Sequence, residues 1–285
     1  MKSLSEKNNV AQLKTRFITR LTIWFRIMKF FKGCTFRSEL NLFLSAVCDT
    51  LLYSISGIAA NPRLVLKGIS IFKIKGLGCA FARGGTDDLY HLLPGREGDV
   101  EEFIKSHLAN GHVFVDVGAN VGFYSLIASK LVGSAGRVYA IEAVPSSIAV
   151  LRANVKFNDC RNVVVHGVAA WSTRGKVKLS VPLSLYGLAS VARNGLSFTV
   201  EAFTLDDLLR NENRIELIKI DVEGAELEVL KGAQKVLRKT RYIVLELSHN
   251  VSEILRILQE TGFTCKKARF TTYILCERKE PRNIS

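Results

Sequence analysis

The run from Val113 to Ser125 restricts the fold more than any other part of the chain. It reads Val-Phe-Val-Asp-Val-Gly-Ala-Asn-Val-Gly-Phe-Tyr-Ser. Its β-branched and aromatic start predicts a buried parallel strand, and its two glycines predict a tight turn into a helix. Such a turn presents backbone N–H groups and lets an adenine-containing cofactor come close. Asn120 replaces the middle glycine of the dinucleotide fingerprint, so the turn alone does not say which cofactor binds.

The positive charge of the chain is concentrated at its N-terminus. Among its 285 residues the net charge is +14, but residues 1–75 contain 13 Lys or Arg and 3 Asp or Glu, whereas the rest contain 27 and 23. A catalytic domain that grips nucleic acid carries the basic excess itself. Nucleic acid is therefore not expected as a partner. With 48% hydrophobic residues, the chain can bury one large core or one core with a smaller appendage.

The six cysteines show no metal-binding or disulfide pattern. There is no C-x-x-C motif and no Cys/His pair at zinc spacing, and His91, His107, His112 and His166 have no acidic cluster beside them in the sequence. We therefore expect reduced thiols in a cytosolic protein, without a disulfide framework and without a metal site.

The N-terminal segment, residues 10–60, predicts helices with an apolar and a basic side. Spacings of three and four place apolar residues on one side of a first helix, with basic residues on its flanks or opposite side. The apolar residues are Leu13, Phe17, Leu21, Trp24, Met28 and Phe31; the basic ones are Arg16, Arg20, Arg26, Lys29 and Lys32. Such a helix can lie on an anionic membrane surface or pack on the protein's own core.

A second apolar run, from Leu40 to Ala60, is long enough to cross a bilayer. Asp49 at its centre and basic residues on both sides favour a packed or surface helix instead. Arginines within the first thirty residues also argue against a cleavable signal peptide. We expect a cytoplasmic protein, peripheral at the inner face of the membrane, with segments 1–60 (helical), 61–110 (lead-in strands and helix) and 111–285 (catalytic domain).

From residue 113 onward strands and helices alternate, which predicts an α/β fold with a mostly parallel sheet covered on both faces. The five predicted strands are 113–117, 138–142, 162–166, 217–221 and 242–247, and an antiparallel pair over 263–267 and 271–276 follows. A hairpin-like excursion with strands at 176–181 and 197–200 interrupts the alternation, and Pro182 to Gly195 is expected to form a mobile tip. Asp206 and Asp207 are expected to stabilise the start of a short helix.

Four predicted strands end in an acid: Asp116, Glu142, Asp221 and Glu246. In an open α/β sheet these ends surround the ligand site. Glu142 follows Gly118 by 24 residues, the offset at which an acid accepts hydrogen bonds from ribose hydroxyls. NAD and S-adenosylmethionine both fit this geometry, but a turn with Asn120 and an acidic rim favours the positively charged S-adenosylmethionine, which has no pyrophosphate to cradle. An NAD-dependent Rossmann oxidoreductase and an inactive nucleotide-binding module are the alternatives.

Four blocks then carry a resemblance to a known family. They are Asp116-Val-Gly-Ala-Asn-Val-Gly122, Val138-Tyr-Ala-Ile-Glu142, Thr204-Leu-Asp-Asp-Leu208 and Ile218-Lys-Ile-Asp-Val-Glu-Gly-Ala-Glu226. In this order they resemble the FkbM family of S-adenosylmethionine-dependent methyltransferases over residues 111–250. The resemblance implies a Rossmann-like, seven-stranded class I methyltransferase sheet and methyl transfer to an oxygen of a small molecule, a glycan or a lipid-linked hydroxyl. Ala143 departs from the proline that the family usually has there.

Positions on the predicted sheet assign the candidate site residues. The expected cofactor-binding residues are Asp116, Gly118, Ala119, Asn120, Gly122, Glu142, Ala143, Ala169 and Asp221. Methyl transfer to a hydroxyl needs mainly the positioning of two reactants and is helped by a general base. The candidates for that base are Glu223, Asp221, Glu246 and His249.

Overall fold

The structure, a computed structural model, describes residues 2–58, 60–181 and 196–279, with side chains over 12–58, 60–180 and 197–279. The chain divides into two compact units, Met1–Arg96 and Glu97–Ser285. The sequence patterns predicted boundaries near residues 60 and 110 instead. The tip predicted over residues 182–195 lies outside the described residues.

The first unit combines a helical hairpin with a small antiparallel sheet. Its elements are α1 (Lys2–Phe30), β1 (Phe31–Gly33), α2 (Phe36–Ser56), β2 (Ile69–Ile74), β3 (Gly78–Arg83) and α3 (Asp88–His91). The strands pair in the order β1-β2-β3. Thr35 caps α2 by accepting the Ser38 N–H, and Gly57 ends it in the left-handed conformation that glycine favours.

A charged contact joins α1 to α2. Both carboxylate oxygens of Asp49 accept hydrogen bonds from Arg20, at 2.5 and 2.7 Å, and the Trp24 indole N–H donates to the same carboxylate at 2.5 Å. The negative charge of Asp49 is therefore balanced by Arg20 within the hairpin, which offsets the free-energy cost of an acid at the centre of an apolar run. Among the described residues, no helix has the length and hydropathy that a membrane span requires.

The predicted apolar stripe of α1 is split by this packing. Trp24 and Phe31 are buried, whereas Leu13 and Met28 are exposed, as are Phe17 and Leu21. Arg20, one of the basic residues expected on the flanks or the opposite side of the helix, is buried because it pairs with Asp49. The apolar row is therefore divided between buried and exposed positions.

The second unit contains the remaining elements. They are α4 (Gly98–His107), β4 (Val113–Val117), α5 (Phe123–Val132), β5 (Arg137–Ile141), α6 (Pro145–Phe157), β6 (Val163–His166), β7 (Ala169–Ala170), β8 (Gly175–Val181), β9 (Leu196–Phe203), α7 (Leu205–Leu208), β10 (Ile215–Ile220), α8 (Glu226–Lys231), α9 (Gln234–Arg238), β11 (Thr240–Glu246), α10 (Val251–Glu260), β12 (Phe263–Lys267) and β13 (Tyr273–Arg278).

The large sheet has the strand order β12-β13-β11-β10-β4-β5-β6. The five strands from β11 to β6 are parallel, and β13 runs antiparallel between β11 and β12. This is the Rossmann-like, seven-stranded class I methyltransferase sheet, as the resemblance implied. Every residue of β10 is buried, so this strand lies at the centre of the core. Strand order reverses between β4 and β10, which is where such sheets bind ligands.

Two local predictions in this unit need correction. The sequence between the strands predicted at 217–221 and 242–247 predicts one helix from Ala225 to about Arg238, but the structure has two, α8 and α9, separated at Gly232. The backbone there passes so close to Trp171 that a Cβ on Gly232 would lie 2.0 Å from the Trp171 carbonyl oxygen. The cysteines are also not all reduced thiols: Cys265 and Cys276 form a disulfide. The spacing of these cysteines in the sequence did not predict the bond. The register of β12 and β13 brings them together, because it places them directly opposite each other.

Candidate active site

The glycine turn after β4 is shaped by close contact with the segment after β10. Gly118 has a φ of 81°, and a Cβ on it would lie 1.7 Å from the Asp221 carbonyl oxygen. Only glycine fits such an approach and such a φ. Asn120 (φ 48°) and Gly122 (φ 95°) are also left-handed, and Gly122 is the N-cap of α5. The turn thus brings the ends of β4 and β10 together at the point where strand order reverses.

Glu142, directly after β5, is fixed beside this turn. Its carboxylate accepts backbone N–H groups from Asn120 at 2.7 Å, Ala143 at 2.9 Å and Val144 at 2.8 Å. Burial raises the pKa of Glu142, while the three N–H groups oppose that rise by stabilising the anion. The carboxylate is therefore held in one orientation before any ligand arrives.

Two buried oxygens of the turn lack a hydrogen-bond partner among the described residues. Asp116 is 1% exposed, and its Oδ2 accepts the Ser125 hydroxyl at 2.7 Å, but its Oδ1 accepts nothing. The Asn120 side-chain oxygen is likewise buried without a partner. Burial raises the pKa of Asp116, against the lowering effect of Lys219 and Ser125. Because buried acceptors are normally satisfied, a ligand that donates hydrogen bonds would fit here.

A buried ion pair lies at the end of β10. Lys219, 2% exposed, places its Nζ 2.8 Å from Oδ2 of Asp221, and the Tyr273 hydroxyl donates to the same oxygen at 2.7 Å. Burial works against the charge of Lys219, but Asp221 and Asp116 together raise its pKa. Burial likewise opposes ionisation of Asp221, yet Lys219 and Tyr273 hold its pKa below the ordinary range. Asp221 is thus an anion with fixed partners.

Three carboxylates meet beside this pair. Asp221, Glu223 and Glu246 each place one oxygen within 4.8 Å of the other two. Burial, together with the negative charge of Asp221, raises the pKa of Glu246 to about 8. Glu246 therefore retains a proton at neutral pH and shares it with Asp221, while the Thr272 hydroxyl donates to Glu246 at 2.9 Å. Lys219 and this proton offset the charge of the cluster.

The comparisons with known proteins agree with this geometry. The sequence model of the protein family described as the methyltransferase FkbM domain matches residues 116–265, just over half of the chain. The chain belongs to the FkbM methyltransferase family. It is therefore a methyltransferase, and its cofactor is S-adenosylmethionine; the acids and the turn described above fit that cofactor.

Three relatives of this FkbM chain illustrate the range of similarity. Hexuronic acid methyltransferase AglP of Haloferax volcanii is 25% identical, over 67% of this chain and 80% of its own length. Methyltransferase sdnD of Sordaria araneosa is 28% identical, over 58% of this chain and 78% of its own. The solved structure of methyltransferase FkbM from Methylobacillus flagellatus KT aligns at 19% identity and a TM-score of 0.43, over 67% of this chain and 54% of that one.

The FkbM site gathers most of the residues that the sequence singled out. The Asn120 N–H donates to Glu142, and Gly118 lies against the Asp221 carbonyl group. Ala119 lies in the turn of Gly118, and Ala143 directly follows Glu142 and donates its N–H to it. Ala169 is buried in β7, where it pairs with Ala202 of β9. His249 is exposed after β11, on the side of Gly224. The functional roles of all these residues stay predictions.

The residues that hold the acids of this FkbM site were not predicted from the sequence. Tyr124 donates to Glu97 at 2.7 Å, and the Tyr273 hydroxyl, which donates to Asp221, lies 3.4 Å from Glu97. The centres of both rings lie close to the Lys219 ammonium, at 5.0 Å for Tyr124 and 5.8 Å for Tyr273. The one available signal was Lys219 itself, a lysine within the apolar run Leu217-Ile-Lys-Ile220 before Asp221. A lysine in a buried parallel strand requires an anionic partner.

Glu226 is a second missed residue, and it joins two loops of the site. It is fully buried, accepts the Gly224 N–H at 2.9 Å and accepts the Ser248 hydroxyl at 2.8 Å. It therefore connects the loop that contains Glu223 to the loop that contains His249. Glu226 is the last residue of the block that resembles the family, but the sequence could not show which side chains it contacts.

Proposed function

We propose that this protein methylates a hydroxyl oxygen of a carbohydrate or another small polar acceptor, free or lipid-linked. The observation that carries the proposal is the Asp221–Glu246 pair at the ends of neighbouring strands. Glu246 has a pKa near the working pH, as a general base requires. The similarity to a protein named a hexuronic acid methyltransferase supports a glycan-type acceptor.

The cofactor residues have complementary roles in this proposal. When bound, S-adenosylmethionine supplies an electrophilic methyl group on a positively charged sulfur. Asp116 and Asn120 offer the two unpartnered buried oxygens, and Glu142 offers a carboxylate that its three N–H donors hold still. Gly118 and Gly122 keep the turn low enough for close approach, beside Ala119 and Ala143. Asp221 contributes a negative charge that does not titrate near neutrality, and Ala169 is assigned to the adenine side.

Glu246 is our choice among the candidate bases. Asp221 is too weak a base, because Lys219 and Tyr273 hold it as an anion. The ionised form of Glu246 would accept the proton of the acceptor hydroxyl, which prepares that oxygen for the methyl group that bound S-adenosylmethionine would supply. Glu223, the third carboxylate of the cluster, and His249, beside Gly224, are the rivals that mutagenesis must separate from Glu246.

The acceptor class is tested with purified full-length protein and radiolabelled S-adenosylmethionine. Uronic acids and neutral oligosaccharides are offered, and the product is treated with mild alkali. We expect an alkali-stable methyl ether and strong loss of transfer in Glu246→Gln, with Glu260→Gln as an exposed control. An alkali-labile methyl ester with unaffected Glu246→Gln would contradict the proposal, because a carboxylate acceptor has no proton to lose. Cofactor binding without transfer to any of these acceptors would contradict the proposed acceptor class.

We also propose that the protein acts at the inner, cytoplasmic face of a membrane, through residues 10–60. The support is the net charge of +10 over residues 1–75 together with many exposed apolar side chains between Leu13 and Ile58. Anionic lipid attracts such a basic segment, and the attraction weakens with salt. Salt-dependent sedimentation of the protein with anionic vesicles is the measurement that tests it.

A further inference from the structure

Helix α2 has the opposite polarity to an ordinary surface helix, because many of its polar residues are buried and many of its apolar residues are exposed. Five of its seven buried residues are polar: Ser38, Asn41, Ser45, Thr50 and Ser54. Its exposed side is instead apolar, with spacings of three and four residues. We call this row the outer stripe of α2; it consists of Phe36, Leu40, Phe43, Val47, Leu51 and Ile55.

Three of the buried polar residues bind the backbone of another segment, which explains why this side of α2 faces inward. Asn41 accepts the Leu66 N–H at 2.9 Å and donates to the Ser70 hydroxyl, Ser45 accepts the Val65 N–H at 2.8 Å, and Ser38 accepts the Ile71 N–H at 2.9 Å. They satisfy the backbone of the segment that leads into β2, which has few regular partners of its own. The polar side is therefore committed to the interior.

The outer stripe has no such task. Phe36 is 84% exposed, Phe43 60% and Ile55 75%. Of the 21 large apolar side chains that are strongly exposed among the described residues, 14 lie between Leu13 and Ile58. Single exposed apolar residues need no explanation, but a concentrated row of them marks a surface that contacts something apolar. From Phe36 to Ile55 the row extends about 28 Å at the rise of an α-helix.

Charge identifies the class of contact. Lys29 and Lys32 are exposed where α1 passes into α2, close in sequence to Phe36. The acids of the segment are few: Glu39 accepts the Gly33 N–H, and Asp49 is paired with Arg20. A second copy of the chain would bring an equal positive charge against this surface. An anionic bilayer supplies the opposite charge and an apolar layer together.

We infer that the outer stripe of α2 inserts into the boundary between headgroups and acyl chains of an anionic membrane, with α2 lying in the membrane plane. The inference rests on the proposed membrane association and adds the surface that makes the contact. Lys29 and Lys32 contact the lipid headgroups, and the polar side of α2 stays with the protein.

Vesicle sedimentation of full-length variants tests this surface. The substitutions Phe36→Gln, Phe43→Gln and Ile55→Gln are combined, because they change no charge and replace only exposed side chains. We expect wild-type protein to sediment with vesicles of phosphatidylcholine and phosphatidylglycerol, and the triple variant to bind at least about tenfold more weakly. The matched control combines Phe157→Gln, Leu255→Gln and Phe270→Gln, exposed residues of the other unit, and should bind like wild type.

A second variant reports insertion directly. In Phe43→Trp the new indole should shift its fluorescence to shorter wavelength when anionic vesicles are added. Suppose that wild type binds vesicles, but the triple variant binds equally well or the emission of the introduced indole does not shift. The outer stripe is then not the membrane-contacting surface, while membrane association itself stands. If wild type binds no vesicle, both proposals are wrong; a dimer that the triple substitution dissociates would then assign the stripe to a second copy.

Discussion

Lys219 and Asp221 form a buried ion pair, with Nζ 2.8 Å from Oδ2, at the centre of the methyltransferase sheet. Lys219 lies in β10 and Asp221 is the first residue after this strand, so the two are two positions apart and their side chains lie on the same side of the sheet. Burial and, after it, the negative charge of Asp221 raise the pKa of Glu246. The pair therefore connects the stability of the central strand to the acid–base chemistry proposed for the site.

Removal of Lys219 should destabilise the fold strongly. Lys219→Met leaves Asp221 and Asp116 without their buried cation, and we expect a loss of about 3–5 kcal/mol in the free energy of unfolding. The double variant Lys219→Met with Asp221→Asn removes one of the stranded anions and should recover part of that loss. Urea denaturation of the four proteins of this cycle measures the coupling. A Lys219→Met protein as stable as wild type would show that the pair is not needed.

Activity should rise with pH as Glu246 ionises. With its pKa raised to about 8, most Glu246 is protonated at pH 7 and cannot accept a proton. We expect kcat/KM to increase from pH 7 to pH 9 in wild type, and the increase to vanish with the residual activity of Glu246→Gln. His249→Gln and Glu223→Gln should keep the wild-type profile, and so should the enzyme in EDTA. A profile that moves with Glu223→Gln would make that residue the base.

The same carboxyl makes a pH-dependent contribution to stability. The pKa of Glu246 is higher in the folded protein than its ordinary value of 4.5, so between these two values the folded state binds more protons than the unfolded one. The contribution is present below about pH 4.5 and is lost as pH rises to about 8. Glu246→Gln should therefore gain stability relative to wild type as pH increases across this range. Chemical denaturation at several pH values measures the trend, and a constant difference would contradict the raised pKa.

Gly118→Ala should damage the site far more than a comparable glycine substitution. Gly111 has a similar φ, 86° against 81°, but a Cβ on Gly111 would meet nothing within 4 Å. Gly111→Ala should therefore cost only the left-handed backbone strain, about 1–2 kcal/mol. Gly118→Ala adds the collision with the Asp221 carbonyl oxygen, and we expect a larger loss of stability together with loss of S-adenosylmethionine binding. Equal melting temperatures of the two variants would disprove the close approach.

Glu142→Ala should weaken cofactor binding. It removes an anion that three backbone N–H groups hold in place, and we expect roughly tenfold to hundredfold lower affinity for S-adenosylmethionine by isothermal titration calorimetry. Glu142→Gln keeps the size and part of the hydrogen bonding, so it should lie between Ala and wild type. Glu260→Ala, an exposed acid on α10, serves as the control. Unchanged affinity in Glu142→Ala would remove this residue from the cofactor site.

Local patterns were sufficient for many of the individual elements of the second unit. The apolar run over 113–117 and the glycines after it predict β4 and its turn, and the structure has the strand at the same residues. Thr204 caps α7 by accepting the Asp207 N–H, again a local matter. Asp206 was expected to act at the same helix start, but it accepts the N–H groups of Lys235 and Val236 instead. Its partners are some thirty residues away, and no local pattern indicates them.

By itself, the sequence determined the parallel strands, the acids at their ends, the turn at Gly118 and the membership of the FkbM family, because these depend on short-range periodicity and motif order. Only the tertiary structure decided that β13 inserts between β11 and β12, that Cys265 meets Cys276, and that α2 turns its polar side inward. Register and burial set these features, and both depend on contacts between residues far apart in the chain.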